Sequence, residues 1–126
     1  MLTPSQAAMY RRMTLGDEAL MTGLLSGVDD ASDALGDRTS SLVRLAALIV
    51  VDAGTPAYQR EVRHAINAGV TPEQITGVLV AVARVVGTAL VMSAAPRLAL
   101  ALGYDVDAGL EDDVAREDER SRKDQR

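Results

Sequence analysis

Apolar positions along the chain recur at helical spacing in four long runs, bounded by helix stop and start signals. The clearest boundary lies within residues 65–75. Gly69 suits the left-handed position just past a helix end, where a Cβ is penalised. Thr71 is a good N-cap, Pro72 fits the first helical position, and Gln74 stands where a capping box needs it. So short a link predicts an antiparallel helical hairpin at the centre of the fold. Before it, residues 56–68 are amphipathic: Tyr58, Val62, Ala65 and Ile66 share one face, and Arg60, Arg63 and Asn67 lie opposite. Glu61 falls on the flank, beside Ala57 and Ala68. After it, residues 72–86 are apolar nearly all round, until Gly87 bends or ends the run.

The other segments follow the same grammar. Residues 40–53 are apolar over nearly the whole circumference, which places a helix inside a core or an assembly. The β-branched run Ile49-Val50-Val51 also suits a strand, but the pattern is too long for one and has no clear pairing partner. Residues 89–102 predict a further helix, with Pro96 as a kink or a split and Gly103 as its end. Near the N-terminus, Thr3 and Pro4 open a short helix that Gly16 breaks, and residues 17–25 predict another, with Asp17 and Glu18 well placed for the helix dipole.

Residues 26–39 are rich in Gly, Asp and Ser and predict a loop. Asp29, Asp30 and Asp33 stand there as a candidate cation site, although the calcium-loop spacing and its closing Glu are missing, and a solvated acidic loop explains them as well. Residues 111–126 are mostly charged. Pairs such as Glu119 with Lys123 have the i,i+4 spacing that supports a loose helix, but no face can bury area, so the segment reads as a disordered or frayed tail. The expected organisation is therefore all-α: about six helices, with short helices and a loop over 1–34 packing on a core over 35–104, and a charged tail over 105–126.

Composition narrows the chemistry. The chain has 126 residues, 48% of them hydrophobic, with no Phe or Trp, so its core is built from Ala, Val, Leu and Ile. There is no cysteine, which excludes disulfides, thiol catalysis and cysteine-based metal sites. One histidine argues against a His-rich metal centre, and no cofactor is expected. A net charge of −5 leaves no basic footprint for nucleic acid. Residues 75–95 are long enough to suggest a membrane span, but Arg84 interrupts them and no basic cluster or aromatic belt flanks them. A core shared between subunits accounts better for so much aliphatic surface. With no leader pattern at the N-terminus, a cytoplasmic protein is expected.

Residues 35–98 resemble the carboxymuconolactone decarboxylase and alkyl hydroperoxidase D superfamily. The resemblance rests on Leu35-Gly36-Asp37-Arg38-Thr39 before an apolar helix, on the stretch from Glu61 to Ile75, and on the apolar helix reaching Gly87. Asn67-Ala68-Gly69-Val70-Thr71-Pro72-Glu73 is its most specific part. It implies an all-helical fold assembled as homotrimers or homohexamers. The peroxidase branch uses a Cys-x-x-Cys pair and a following His. Their positions fall here on Gly54, Ala57 and Glu61, and the family's acidic residue one helix earlier falls on Ser41 or Leu42. A thiol peroxidase is thereby excluded, since the thiolate is the reacting species. The decarboxylase branch needs no cysteine but also carries a His where this chain has Glu61. Positions that the family fills with His or Gln and with Tyr fall on Ala81 and Val85, so an unusually apolar pocket is implied.

Arg44, Glu61 and Arg84 lie in or beside apolar helix surface, and a buried charge is costly unless paired. One reading is an enzyme acting on a small organic acid or lactone by proton transfer or decarboxylation. In it Glu61 is the general base, Arg84 or Arg44 holds a substrate carboxylate through its planar fork, Tyr58 lines the site, and His64 is an alternative proton carrier. It predicts a closed pocket with an arginine opposite Glu61 or His64. The other reading is a non-catalytic oligomer that binds an apolar ligand or a protein partner. There Glu61 bridges Arg84 or Arg44, and Tyr58 is simply core.

Overall fold

The computed structural model describes residues 1–27 and 34–126. The candidate cation site at Asp29, Asp30 and Asp33 lies outside the described residues. These hold seven α-helices and no strand: α1 (Pro4–Thr14), α2 (Glu18–Ser26), α3 (Gly36–Val50), α4 (Thr55–Asn67), α5 (Pro72–Val86), α6 (Thr88–Ala101) and α7 (Val106–Asp124). Two compact units divide the chain, Met1–Gly36 and Asp37–Arg126.

In the first unit α1 and α2 pack together. Thr3 and Gln6 close a capping box at the start of α1, the Thr3 N–H donating to Gln6 Oε1 at 2.9 Å and the Gln6 N–H to Thr3 Oγ1 at 3.2 Å. Asp17 caps α2 by accepting from the Leu20 N–H at 2.9 Å, and the same carboxylate oxygen pairs with Arg12 at 3.1 Å. That guanidinium, with the cap N–H, holds the Asp17 carboxyl below the usual carboxylate value.

The second unit is built around α6, which packs against α4, α5 and α7. Its core comprises Leu45 and Ile49 from α3, Tyr58, Val62 and Ala65 from α4, Val70, Ile75 from α5, and Ala94 and Leu98 from α6. Ala94 is buried, and a side chain that small lets helices approach closely. The α4–α5 link has the geometry its residues predict. Gly69 has φ +89°, and the bonds from the Gly69 N–H to Ile66 O and from the Val70 N–H to Ala65 O make a Schellman motif with Val70 buried against it. Thr71 and Gln74 then close the capping box of α5. The fold is organised less by α4 and α5 meeting each other than by both leaning on α6.

Several boundaries differ from the sequence reading, each for a physical reason. Helix α3 starts at Gly36, inside the predicted loop, and Asp37 in its first turn favours the dipole there. Helix α4 is capped by Gly54, so Thr55 stands inside the first turn and makes no cap hydrogen bond. Helix α6 runs through Pro96 without splitting. The segment read as a disordered or frayed tail is the helix α7, capped by the Asp105 carboxylate and carrying the i,i+4 pair of Lys123 and Glu119 at 3.1 Å. From Leu110 onward α7 is exposed on every side, so local terms are what hold it. Finally, the apolar run over 75–95 is cut at Gly87, with φ +80°, and no single described helix is long and apolar enough to cross a membrane.

Candidate functional site

Two Arg–carboxylate pairs join separate elements of the second unit, each at 3.0 Å. The first is Arg44 Nε to Glu61 Oε1, from α3 to α4. Glu61 sits one position before Val62 on α4, beside the core stripe, and its side chain is only 13% exposed. Burial of that order requires a partner, and Arg44 supplies it. Arg44 itself is half exposed, and its Nη2 donates to Ser41 Oγ at 3.4 Å. Ser41 is buried because it lies one helical turn before the core residue Leu45.

Beside this pair a cavity of about 300 Å³ is lined by Asp37, Ser41, Arg44, His64, Asn67 and Ala68. Asp37, Ser41 and Arg44 come from successive turns of α3, while His64 and Asn67 come from the last turn of α4. The cavity thus holds a guanidinium, an imidazole, a hydroxyl and an amide, with a carboxylate at its edge. Such a set can bind a small carboxylate by charge-assisted hydrogen bonds and move one proton. Glu61 is not among the lining residues; it touches the site through Arg44. Among the described residues no group of three His, Cys, Asp or Glu is placed to hold a metal ion.

The structure therefore joins three of the five residues singled out from sequence, Arg44, Glu61 and His64, and separates two. Arg84 is exposed in the last turn of α5, where a positive charge favours the helix dipole, and no carboxylate pairs with it among the described residues. Tyr58 is fully buried in the core, and its hydroxyl has no hydrogen-bond partner among the described residues. Burial pushes its phenol up from the ordinary value, with the charges of Arg97 and Asp52 acting in opposite directions. Sequence reasoning named Ser41 or Leu42 at the family's acidic position, and Ser41 is the one that lines the cavity. It missed Asp37 and Asn67. Both were within reach, since Asp37 lies seven residues before Arg44 and Asn67 three after His64, each on the same helix face.

The second pair is Arg97 of α6 with Asp52, in the turn after α3. Asp52 Oδ1 also accepts from Ser93 Oγ at 2.6 Å, and Arg97 Nη1 donates to Ala53 O at 2.8 Å. The turn is another Schellman motif, the Asp52 N–H bonding Ile49 O and the Ala53 N–H bonding Leu48 O. Asp52 has φ +51° and is the only described non-glycine residue with positive φ. Aspartate tolerates that region better than most side chains, and here its carboxylate fastens α6 to the end of α3.

This geometry defines a class: an all-helical, cysteine-free protein whose arginine, glutamate and histidine gather where two helices meet at a small polar cavity. The chain belongs to the carboxymuconolactone decarboxylase family, whose model matches residues 18–100. That span includes α2 to α5 and nearly all of α6, and excludes α1 and α7. No curated protein and no solved structure matches the chain.

Proposed function

We propose that this protein is a cytoplasmic, carboxymuconolactone decarboxylase-like enzyme that acts on a small organic acid or lactone in the cavity between α3 and α4. The observation that carries the reading is the shared lining of that cavity by Arg44 and His64, with Glu61 behind Arg44. Arg44 binds a substrate carboxylate through the donors that Glu61 and Ser41 leave open. His64 gives or takes the proton, imidazole being the side chain best suited to that near neutral pH. Glu61 is a positioning residue: it holds the guanidinium plane and takes no proton from the substrate. The role of base thus passes from Glu61 to His64. No thiol peroxidase step enters, because the chain has no sulfur nucleophile.

The same reading has the chain working as a homo-oligomer, a trimer or hexamer. Support comes from exposed aliphatic side chains on three helices, Val43 and Val50 on α3, Val80 and Val85 on α5, and Met92 on α6. Burying such side chains against another copy removes apolar area from water. Assembly also closes a cavity that one chain leaves open to water. A monomer in light scattering would sink this part of the proposal.

A second reading has its own support in the 3.0 Å Arg44–Glu61 pair, since charges that satisfy each other need no substrate. In that case the protein is a non-catalytic oligomer that binds an apolar ligand or a protein partner. The deciding experiment offers small organic acids and lactones to the protein and follows carbon dioxide release and solvent deuterium uptake. The enzyme reading expects turnover that falls roughly 10²–10⁴-fold in His64→Ala, the usual worth of a positioned acid–base group. If turnover is unchanged when His64→Ala and Glu61→Gln are combined, the assignment is wrong. Binding without turnover across the panel selects the second reading.

A further inference from the structure

Two features of the second unit remain without a partner, and they fit each other. The first is a groove of about 450 Å³ between α4 and α6, lined by Gln59, Val62, Arg63, Ile66, Asn67, Leu100 and Ala101. Its lining mixes polar Gln59, Arg63 and Asn67 with an apolar strip of Val62, Ile66, Leu100 and Ala101, of which Ile66 is 47% and Leu100 44% exposed. Its α4 rim is basic, with Arg63 in the lining and the exposed Arg60 next to it, and among the described residues neither is in an ion pair. The second is α7, which stands clear of the rest of the chain from Leu110 onward. Leu110 and Val114 form an exposed apolar pair at i,i+4, and acidic side chains surround them: Glu111 and Asp118 on one flank, Asp113 and Glu117 on the other. The helix's basic residues Arg116, Arg120, Arg122 and Lys123 lie away from that stripe, with Arg116 reaching back to Asp113 at 3.6 Å. An apolar pair edged with acids thus faces solvent on the same molecule as a groove that carries an apolar strip and an arginine rim.

The lengths agree. Gln59 to Asn67 and Leu110 to Asp118 each span eight helical steps, about 12 Å. Helix α7 leaves α6 at 98°, and every residue from Leu110 onward is exposed. We propose that the groove between α4 and α6 of one copy receives α7 of a second copy. Leu110 and Val114 then cover Ile66 and Leu100, while Glu111, Glu117 and Asp118 meet Arg60 and Arg63. A two-fold axis makes the exchange reciprocal and fills both grooves at once. Helix α7 lies beyond the span matched by the family, so this interface is additional to the aliphatic surface of α3, α5 and α6 and does not rest on the chemistry assigned to His64.

The absence of cysteine makes the test direct. Full-length chains carrying Ile66→Cys are mixed with chains carrying Val114→Cys and oxidised, and covalent dimers are followed on a non-reducing gel. The mixed dimer is expected about tenfold faster than with Ala115→Cys, on the far face of α7, because a docked neighbour presents its thiol at high effective concentration. High salt, and Arg60→Glu with Arg63→Glu, should remove that advantage. Adding Glu111→Arg and Asp118→Arg to the α7 partner should restore it. Equal rates for Val114→Cys and Ala115→Cys would overturn the proposal. So would Val114→Cys chains that link to each other faster than to Ile66→Cys, which would mean that α7 pairs with itself. A disulfide within one chain carrying both substitutions would do the same. Failure here with an oligomer still seen in light scattering leaves the assembly through α3, α5 and α6 untouched.

Discussion

Arg44–Glu61 and Arg97–Asp52 are ion pairs of equal length, and their surroundings give them opposite uses. Arg97 directs one nitrogen at a carboxylate and at the backbone carbonyls of Asp52 and Ala53, in the turn after α3. Its carboxylate partner is held again by Ser93. That arrangement joins α6 to the turn after α3; Arg97 also lines a cavity of about 240 Å³ with Thr55, Leu100, Asp105 and Asp107, and no histidine lines it. Arg44 meets Glu61 through Nε, makes one long bond to Ser41, and lines a cavity shared with His64. A charge pair becomes a candidate site through the groups gathered beside it, here His64, and not through the strength of the pair.

Breaking each side of this comparison should give separable losses. The largest is expected for His64→Ala, with roughly 10²–10⁴-fold lower turnover and a change in stability within about 0.5 kcal/mol, because the side chain is exposed. Kinetics paired with urea melts reads both. Next comes Arg97→Ala, which should cost about 1–2 kcal/mol of stability in the same melts. Its effect on ligand binding should be negligible, since it does not line the cavity of Arg44.

Smaller effects sharpen the contrast further. Glu61→Gln should weaken carboxylate binding about tenfold, measured by calorimetry, by loosening Arg44 and keeping His64. The smallest effect is expected for Tyr58→Phe. Tyrosine hydroxyls usually help when buried, but this one has no partner, so its removal should raise stability by up to about 1 kcal/mol. The pH dependence has a definite sign. Burial raises the folded value above the ordinary 10.0, so the neutral phenol's contribution is fully present below about that pH and is lost as pH rises through the folded value. Alkaline melts of Tyr58→Phe should therefore fall less steeply than those of the parent chain.

What could be read from sequence was whatever is decided locally. Gly69, Thr71, Pro72 and Gln74 fix a helix stop and start within six residues, and the structure has that stop and start. Glu61 and Arg44 were marked because charges next to apolar stripes need partners, and they are each other's. The rest depended on long-range placement. Asp52 lies 45 residues from Arg97, and its signal was faint: it occupies the left-handed position that Gly16, Gly69 and Gly103 fill after other helices. Tyr58 was placed on the right face, but a helix wheel cannot tell a pocket wall from the centre of a core. Residues 36–39 look like a loop by composition, and only the start of α3 makes them helical. Along residues 106–124 a missing apolar face was weighed above the Asp105 cap and the i,i+4 pairs.

The single imidazole gives the most direct measurement of whether the Arg44 cavity is the site. His64 is the only histidine in the chain, so its Cε1 proton gives one resolved NMR signal. Titrating the protein with small organic acids should shift that signal saturably for at least one of them, and Arg44→Ala should abolish the shift with the fold intact. A signal that no acid moves, or a shift that survives Arg44→Ala unchanged, would contradict the account.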